Sequence, residues 1–237
     1  MTDVSTTAAP DHTHPNGQSA KPAATADDGA AYPWWRRPAV VVGAAYLAGA
    51  IPFSNLMARR RRGVDLRHVG SGTVSGTSLY EVAGFGALAT AGICDVAKGA
   101  VGPALAGRDR PELQAVACAA AVAGHNWSPF LRGAGGRGIS PAIGALAPAA
   151  PAGSAILLGG MTVGRLGGET AIGSLLADAV LVPVLRLTDG RRGTLAGAGV
   201  VAVMLAKRLA GNAPVPKDRK ARTYVNRLVF DRDESVG

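Results

Sequence analysis

The sequence contains only two cysteines among its 237 residues, and one long stretch of it has no charged side chain. Cys94 and Cys118 both lie inside apolar runs, where a cysteine is typically a small buried side chain, so we assign them a structural role. No charge occurs between Pro38 and Met57, and about 20 apolar residues are enough to span a hydrocarbon core. This run is too long, and begins too far from the start, for a secretory signal peptide.

Apolar residues are concentrated in the middle of the chain. Hydrophobic residues make up 48% of the sequence and the mean hydropathy is +0.19, although both ends are polar. After the first run, further apolar runs occur at Val82–Ala106, Leu113–Leu131, Ile139–Val163, Ala171–Leu185 and Thr194–Ala206. Runs of this length and number predict an all-α, polytopic integral membrane protein.

The composition divides the chain into three regions. Residues 1–31 are rich in Ala, Thr, Pro, Asp and Ser without an apolar period, which predicts a disordered N-terminal tail. Residues 32–211 form the predicted transmembrane domain, which opens on an aromatic and basic cluster typical of a bilayer interface. Residues 212–237 mix charges of both signs, and we interpret them as a charged cytoplasmic tail.

The basic residues indicate how the chain is oriented. The formal net charge is +9, but the cations flank the apolar runs, so the positive-inside rule and anionic lipid explain them better than nucleic acid does. Arg59–Arg62 is the densest basic run and is expected on the cytoplasmic side of the cell membrane. The N-terminus is then outside.

Two prolines affect the number of crossings. Pro148 and Pro151 are three residues apart and are poorly tolerated within one straight helix. If the chain turns there, it makes seven crossings, and Lys207 and Arg208 reach the cytoplasm with the C-terminus. A single helix would give six crossings and place those two cations outside. The positions of these cations favour seven crossings, although Arg36 and Arg37 would then lie on the outer side, against the positive-inside rule.

Three ionisable groups inside the apolar runs are candidates for function. Asp95 and Lys98 are three residues apart, on one face of a helix, so they either form a buried ion pair or present Lys98 to a phosphate. His125, at the end of the third apolar run, either has a structural role or hydrogen-bonds and protonates a phosphate oxygen. No metal ligand set and no cofactor site is predicted.

Two glycine-rich loops are candidates for binding anions. Gly133–Gly138 reads Gly-Ala-Gly-Gly-Arg-Gly and precedes a helix, so it is either a flexible turn or an anion site at a helix N-terminus, with Arg137 as a bidentate donor. Val69–Ser78 is rich in glycine and hydroxyl groups. It matches no Walker pattern, because no Lys-Ser or Lys-Thr follows its glycines.

The order of these motifs resembles the bacterial glycerol-3-phosphate acyltransferases that take acyl phosphate as donor. The likeness extends from about Ala45 to Gly211. The matching stretches are Ala48-Gly49-Ala50-Ile51-Pro52-Phe53-Ser54, Gly63-Val64-Asp65-Leu66-Arg67 before Gly70-Ser71-Gly72, Asp95-Val96-Ala97-Lys98-Gly99, Gly124-His125 with Pro129-Phe130, Gly135-Gly136-Arg137-Gly138, and Lys207-Arg208-Leu209-Ala210-Gly211.

The resemblance implies a seven-helix membrane enzyme that acylates the 1-hydroxyl of sn-glycerol 3-phosphate. The products would be lysophosphatidic acid and phosphate, and an enzyme that forms acyl phosphate would act upstream. The resemblance also implies roles for single residues. His125, Lys98 and Ser71 would be catalytic, and the substrate-binding residues would be Arg67, Gly70, Gly72, Asn126, Gly135, Gly136, Arg137, Gly138, Ser140 and Arg165.

This chain departs from the family pattern in two places. After Gly-Ser-Gly the family usually continues Asn-Pro-Gly-Ala-Thr-Asn, whereas residues 73–78 here read Thr-Val-Ser-Gly-Thr-Ser. The family's Gly-Gly-Lys-Gly becomes Gly-Gly-Arg-Gly, and Arg is not a neutral replacement for Lys. Three alternatives to glycerol 3-phosphate acylation therefore stay open: another acceptor, a non-catalytic relative that binds phospholipid or acyl phosphate, and a small-solute transporter.

Overall fold

The computed structural model describes residues 32–70, 72–212, 215, 218 and 220–231; the predicted tail 1–31 lies outside them. Within these ranges the structure has nine α-helices and no β-strand, which confirms the all-α prediction. The helices are α1 (Pro38–Ala50), α2 (Phe53–Arg62), α3 (Gly76–Ala106), α4 (Pro111–Asn126), α5 (Ile139–Ala149), α6 (Pro151–Leu166), α7 (Thr170–Thr188), α8 (Gly190–Ala210) and α9 (Lys220–Phe230).

Four stretches of the described chain are long and apolar enough to cross a membrane. They are Pro38–Arg62, which contains α1 and α2, together with α3, α7 and α8. The shorter helices α4, α5 and α6 pack among these four. The chain is therefore a multi-pass membrane protein.

Prolines interrupt two of the predicted apolar runs. Between Pro148 and Pro151 the backbone leaves the helical region at Ala150 (φ −151°, ψ 82°), and α6 starts on Pro151, a position where proline is tolerated. The break predicted there is confirmed. The span predicted from the run Pro38–Met57 is present within Pro38–Arg62, but it is interrupted, because Ile51 is extended before Pro52 and separates α1 from α2.

Side-chain contacts define one end of the bundle, which we call the loop end. The guanidinium of Arg165, in the last turn of α6, lies 5.4 Å from the ring centre of Tyr80 in the first turn of α3. Asn212, just after α8, donates a hydrogen bond of 2.9 Å to Thr73, just before α3. The loop end therefore gathers the ends of α2, α4, α6 and α8 and the starts of α3, α5 and α7.

Two ion pairs define the opposite end, which we call the turn end. Arg36, before α1, lies 2.7 Å from Asp109 in the turn between α3 and α4. Arg191, at the start of α8, lies 2.7 Å from Glu112 at the start of α4. With α1 and α2 counted as one segment, and α3 as one segment despite its kink at Gly84 (φ 77°), seven helical segments thus alternate in direction between the two ends.

Glycines allow the central helices to approach closely. A Cβ atom added to Gly99 of α3 would overlap the backbone of Pro141 in α5, and one added to Gly144 of α5 would overlap the backbone of Val96 in α3. Small residues commonly bring membrane helices into such contact. The close approach of α3 to α5 holds the lysine of α3 beside the glycine-rich loop that precedes α5.

The last helix was not expected. Residues 212–237 are predicted from the sequence to be a tail, whereas Lys220–Phe230 forms α9 and packs against α7 and α8. Thr223 and Arg227 on its inner face are each only 1% exposed.

Candidate functional site

The break between α1 and α2 frees two backbone carbonyl groups at the loop end. Pro52 has no N–H, and the helix is interrupted before it, so the carbonyl groups of Ala50 and Ile51 do not form regular helical hydrogen bonds. The carbonyl oxygen of Ile51 accepts a hydrogen bond of 2.5 Å from Lys98 Nζ, and that of Ala50 accepts one of 2.6 Å from Ser128 Oγ. The break thus supplies acceptors for polar side chains of other segments.

A buried polar cluster forms around Lys98. Its Nζ lies 2.7 Å from Asp95 Oδ1 and 3.0 Å from His125 Nδ1, and the Asp95 and Lys98 side chains are only 6% and 3% exposed. Ser54 Oγ, in the first turn of α2, donates to Asp95 Oδ2 at 3.3 Å. The expected contact between Asp95 and Lys98 is present, and it is joined by His125 from α4.

The hydrogen bond with Lys98 determines how His125 presents its ring. An ammonium group only donates, so Nδ1 of His125 is the acceptor and Nε2 carries the proton. Nε2 faces Gly136, where an added Cβ would overlap it, and a Cβ on Gly135 would overlap the backbone of His125 and Asn126. These two glycines therefore let the loop pack directly on His125.

These groups line one pocket at the loop end, which we call the lysine pocket. Its walls come from the α1–α2 break, α3, α4, the loop before α3 and the glycine-rich loop. The lining residues are Ala50, Ile51, Pro52, Phe53, Ser54, Val74, Lys98, His125, Ser128, Leu131, Gly135 and Gly136. An ammonium, an imidazole N–H and glycine-rich backbone at one place form a site suited to an anion.

A second cavity of about 330 Å³ adjoins the lysine pocket, and we call it the arginine groove. Ile51, Pro52 and Leu131 line both cavities, so the two are neighbours. The other lining residues of the groove are Asn55, Leu56, Arg59, Arg67 and Phe130. The groove therefore combines apolar walls with two cations.

Asp65 orders the two arginines of this groove. Its carboxylate lies 2.7 Å from Arg67 and also forms an ion pair with Arg59. The hydrogen bond from Arg67 holds the pKa of the Asp65 carboxyl well below its usual range, and the bond from Arg59 adds to this effect. Arg67, predicted to bind substrate, thus lines the groove beside the lysine pocket.

The first glycine loop lies between these arginines and α3. Gly70 and Gly72 have positive φ angles of 55° and 70°, a conformation that favours glycine. Ser71, predicted to be catalytic, lies outside the described residues. Thr73 is buried, and its carbonyl oxygen accepts a hydrogen bond of 2.9 Å from Ser78 Oγ, so hydroxyl groups of this loop stabilise the loop itself.

Four other predicted site residues lie away from the pocket lining. Arg137 points towards the end of α8 and pairs with Asp231 at 3.1 Å. Asn126 is fully buried and donates to the carbonyl oxygen of Val203 in α8 at 3.4 Å. Gly138 caps the start of α5 with a φ of 87°, and Ser140 lies in the first turn of that helix. Their predicted contacts with substrate stay predictions.

Arg165 stays a prediction as well. It stacks on Tyr80 and is absent from the lining of both described cavities. Three members of the site were not predicted from the sequence: Ser54, Ser128 and the carbonyl group of Ile51. A proline inside an uncharged apolar run was the signal for the last of these, because such a proline frees carbonyl groups wherever it breaks a helix.

Comparisons with known proteins agree with this architecture. The family model described as glycerol-3-phosphate acyltransferase matches residues 39–213. Glycerol-3-phosphate acyltransferase 4 of Dehalococcoides mccartyi strain CBDB1 is 34% identical over 206 residues, which cover 82% of this chain and 88% of that protein. The glycerol-3-phosphate acyltransferase of Myxococcus xanthus is 38% identical over 147 residues, 60% of this chain and 77% of the relative.

A solved structure has the same fold. The crystal structure of PlsY, an integral membrane glycerol 3-phosphate acyltransferase in its glycerol 3-phosphate form, superposes with a TM-score of 0.68 at 22% identity. The match covers 84% of this chain and 96% of that one. The family model alone spans most of this chain, and it includes the break after Ile51, the lysine pocket and the glycine-rich loop. This chain therefore belongs to the glycerol-3-phosphate acyltransferase family.

Proposed function

We propose that the protein transfers a fatty acyl group from acyl phosphate to the 1-hydroxyl of sn-glycerol 3-phosphate, giving lysophosphatidic acid and phosphate. The observation that carries the proposal is the lysine pocket, where Lys98, the N–H of His125 and the glycine-rich loop meet. Both substrates carry phosphate, and these groups are donors that favour it. The names of the related proteins support the acceptor.

The chemistry requires no nucleophile from the protein. The acceptor oxygen bonds to the acyl carbon, the bond from that carbon to the phosphate oxygen breaks, and the hydroxyl proton ends on the departing phosphate. The protein has to align the two substrates and stabilise negative charge on the carbonyl oxygen and the phosphate. A phosphate that takes the proton itself agrees with an imidazole whose Nε2 already carries hydrogen.

Lys98 and His125 divide this work. Asp95 and the carbonyl oxygen of Ile51 hold the ammonium of Lys98 in place, so its charge is oriented before substrate arrives. His125 donates from Nε2 to a phosphate or carbonyl oxygen. The arginine groove receives the start of the acyl chain along Leu56 and Phe130 and keeps Arg67 near the phosphates.

We further propose seven crossings, with the loop end cytoplasmic, the N-terminus outside and the C-terminus inside. The alternation of the seven segments and the run Arg59–Arg62 at the loop end support this orientation. Acyl phosphate would then reach the site from the cytoplasmic leaflet, and the enzyme that forms it would act upstream. No cofactor or metal enters the proposed reaction.

The test is phosphate release from palmitoyl phosphate by the purified full-length protein in detergent, with and without sn-glycerol 3-phosphate. Release that depends on glycerol 3-phosphate is expected, together with lysophosphatidic acid in equal amount. Lys98→Ala and His125→Ala should each lower the rate by at least about 100-fold. Arg191→Gln is the matched control, because it removes an exposed cation at the turn end and should leave the rate unchanged.

Other outcomes separate the alternatives. Release with a different polyol phosphate, but not with glycerol 3-phosphate, would identify another acceptor. Tight binding of labelled palmitoyl phosphate without any release would identify a binding protein. Either result would overturn the proposed reaction.

A further inference from the structure

The inner face of α9 buries polar side chains, whereas its outer face exposes both cations and large apolar side chains. Thr223 and Arg227 are each 1% exposed against α7 and α8, whereas Tyr224 and Val225 are 44% and 57% exposed. A buried guanidinium needs partners. The contacts of the Arg227 guanidinium therefore explain how α9 packs against α7 and α8.

Arg227 and Arg208 stabilise each other's helices. Arg227 of α9 donates to the carbonyl oxygens of Leu209 and Ala210 at the end of α8, at 3.1 and 2.9 Å. Arg208 of α8 donates in return to the carbonyl oxygen of Leu228 in the last turn of α9, at 3.0 Å. The last carbonyls of a helix lack partners within it and carry partial negative charge, so each cation caps the other helix.

Arg137 links this pair of helix ends to the glycine-rich loop. Its guanidinium donates to the carbonyl oxygen of Lys207 at 3.5 Å and to that of Asp231 at 3.2 Å, and it pairs with the Asp231 carboxylate at 3.1 Å. Arg137 is only 9% exposed. A buried pair of this kind contributes less to stability than to fixing one geometry.

The fixed geometry extends to the lysine pocket. Arg137 follows Gly136, whose backbone packs against Nε2 of His125. Adjacent Cα atoms are about 3.8 Å apart, so a shift of Arg137 displaces this wall of the pocket. This part of the loop therefore contacts His125 through Gly136 and Asp231 through Arg137.

We propose that Asp231 is a positioning residue for acyl transfer: through Arg137 it holds the Gly135–Gly138 loop against His125. The proposal rests on the proposed function, but α9 and Asp231 lie beyond the region that the family model matches. Asp231 itself contacts no substrate. It keeps the backbone N–H groups of the loop oriented towards the phosphate.

The first test compares steady-state kinetics of wild type, Asp231→Asn, Arg137→Gln and the double variant. The loop should bind phosphate equally in the ground and transition states, so Asp231→Asn should raise the KM for palmitoyl phosphate about tenfold with kcat within about twofold. The double variant should be no worse than Arg137→Gln alone, because both changes remove one interaction. Asp231→Glu should recover most of the wild-type KM.

A purely structural role for Asp231 predicts a different pattern. Loss of folded protein would lower the apparent kcat and leave KM unchanged, and independent effects of the two changes would add. Either pattern overturns the proposal. Glu112→Gln is the control, since it removes the acid of an exposed ion pair at the turn end and should change neither constant.

A second measurement does not need catalysis. Hydrogen exchange of the full-length protein in nanodiscs should be faster in peptides covering residues 133–138 in Asp231→Asn than in wild type, and unchanged in Glu112→Gln. If the wild type shows no acyl transfer but exchange is still faster in Asp231→Asn, the positioning role is supported while the proposed function fails. Unchanged exchange would overturn the positioning role whatever the activity.

Discussion

Asp95 shows, at the scale of single residues, how strongly the site depends on one carboxylate. It is the counterion of Lys98 in a part of the bundle where both side chains are almost inaccessible. We expect Asp95→Asn to lose nearly all activity and about 3–5 kcal/mol of stability, because a buried ammonium is left without its counterion. Acyl transfer and thermal unfolding in detergent measure these losses. An active and equally stable variant would contradict the assignment.

Asp65 allows a pH test at the same scale. Because Arg67 and Arg59 depress its pKa in the folded state, its contribution to stability is complete above the unfolded pKa of about 3.9 and is lost as the pH falls towards the folded pKa. Wild type should therefore unfold at a higher temperature than Asp65→Asn at pH 7, and the difference should shrink below about pH 4. Thermal unfolding between pH 7 and pH 3 measures it. A constant difference would exclude this ion pair as its source.

At the scale of elements, the contact between α3 and α5 sets the distance from Lys98 to the glycine-rich loop. A Cβ on Gly99 would overlap backbone that cannot move aside, so Gly99→Ala should cost about 1–3 kcal/mol and lower activity. Gly92→Ala is the matched control in the same helix, where the added atom meets open space. It should stabilise α3 by up to about 1 kcal/mol. Equal unfolding temperatures for the two variants would refute the packing argument.

The elements also show what the sequence could and could not predict. Pro148 and Pro151 predicted their helix break because two nearby prolines leave few alternatives. Pro52 stands alone, and whether its run kinks or breaks depends on Lys98, which binds the carbonyl group of Ile51, 47 positions earlier in the chain. α9 escaped prediction because its buried face contains Thr223 and Arg227, so an apolar stripe does not mark the side that packs.

The candidate site residues were also predictable only in part. His125 and Lys98 were predicted from a resemblance and from their position in apolar runs, and the structure brings them within 3.0 Å. The direction of Arg137 was not predictable from its loop, because its partner Asp231 is 94 residues away in sequence. The break at Pro52, the packing of α9 and the direction of Arg137 all depend on contacts between segments that are distant in sequence.

At the scale of the whole molecule, the proposed orientation can be tested with two threonines. In a background of Cys94→Ala and Cys118→Ala, we would introduce Thr77→Cys at the loop end or Thr188→Cys at the turn end; both threonines are exposed. A membrane-impermeant maleimide should label Thr188→Cys in intact cells and Thr77→Cys only after permeabilisation. The opposite pattern would reverse the topology, and labelling of both in intact cells would exclude the proposed odd number of crossings between these two positions.

The reciprocal caps between α8 and α9 bear on how the protein matures. Because α9 follows α8 in the chain, the ribosome makes it only after every helix that lines the lysine pocket. An inserted nascent chain therefore already contains Lys98 and His125, but the carbonyls at the end of α8 await Arg227, and Arg137 awaits Asp231. A chain cut short before α9 would reach the membrane with Lys98 and His125 present and its glycine-rich loop untethered. Synthesis of α9 would then be the event that completes the phosphate-binding wall of the site.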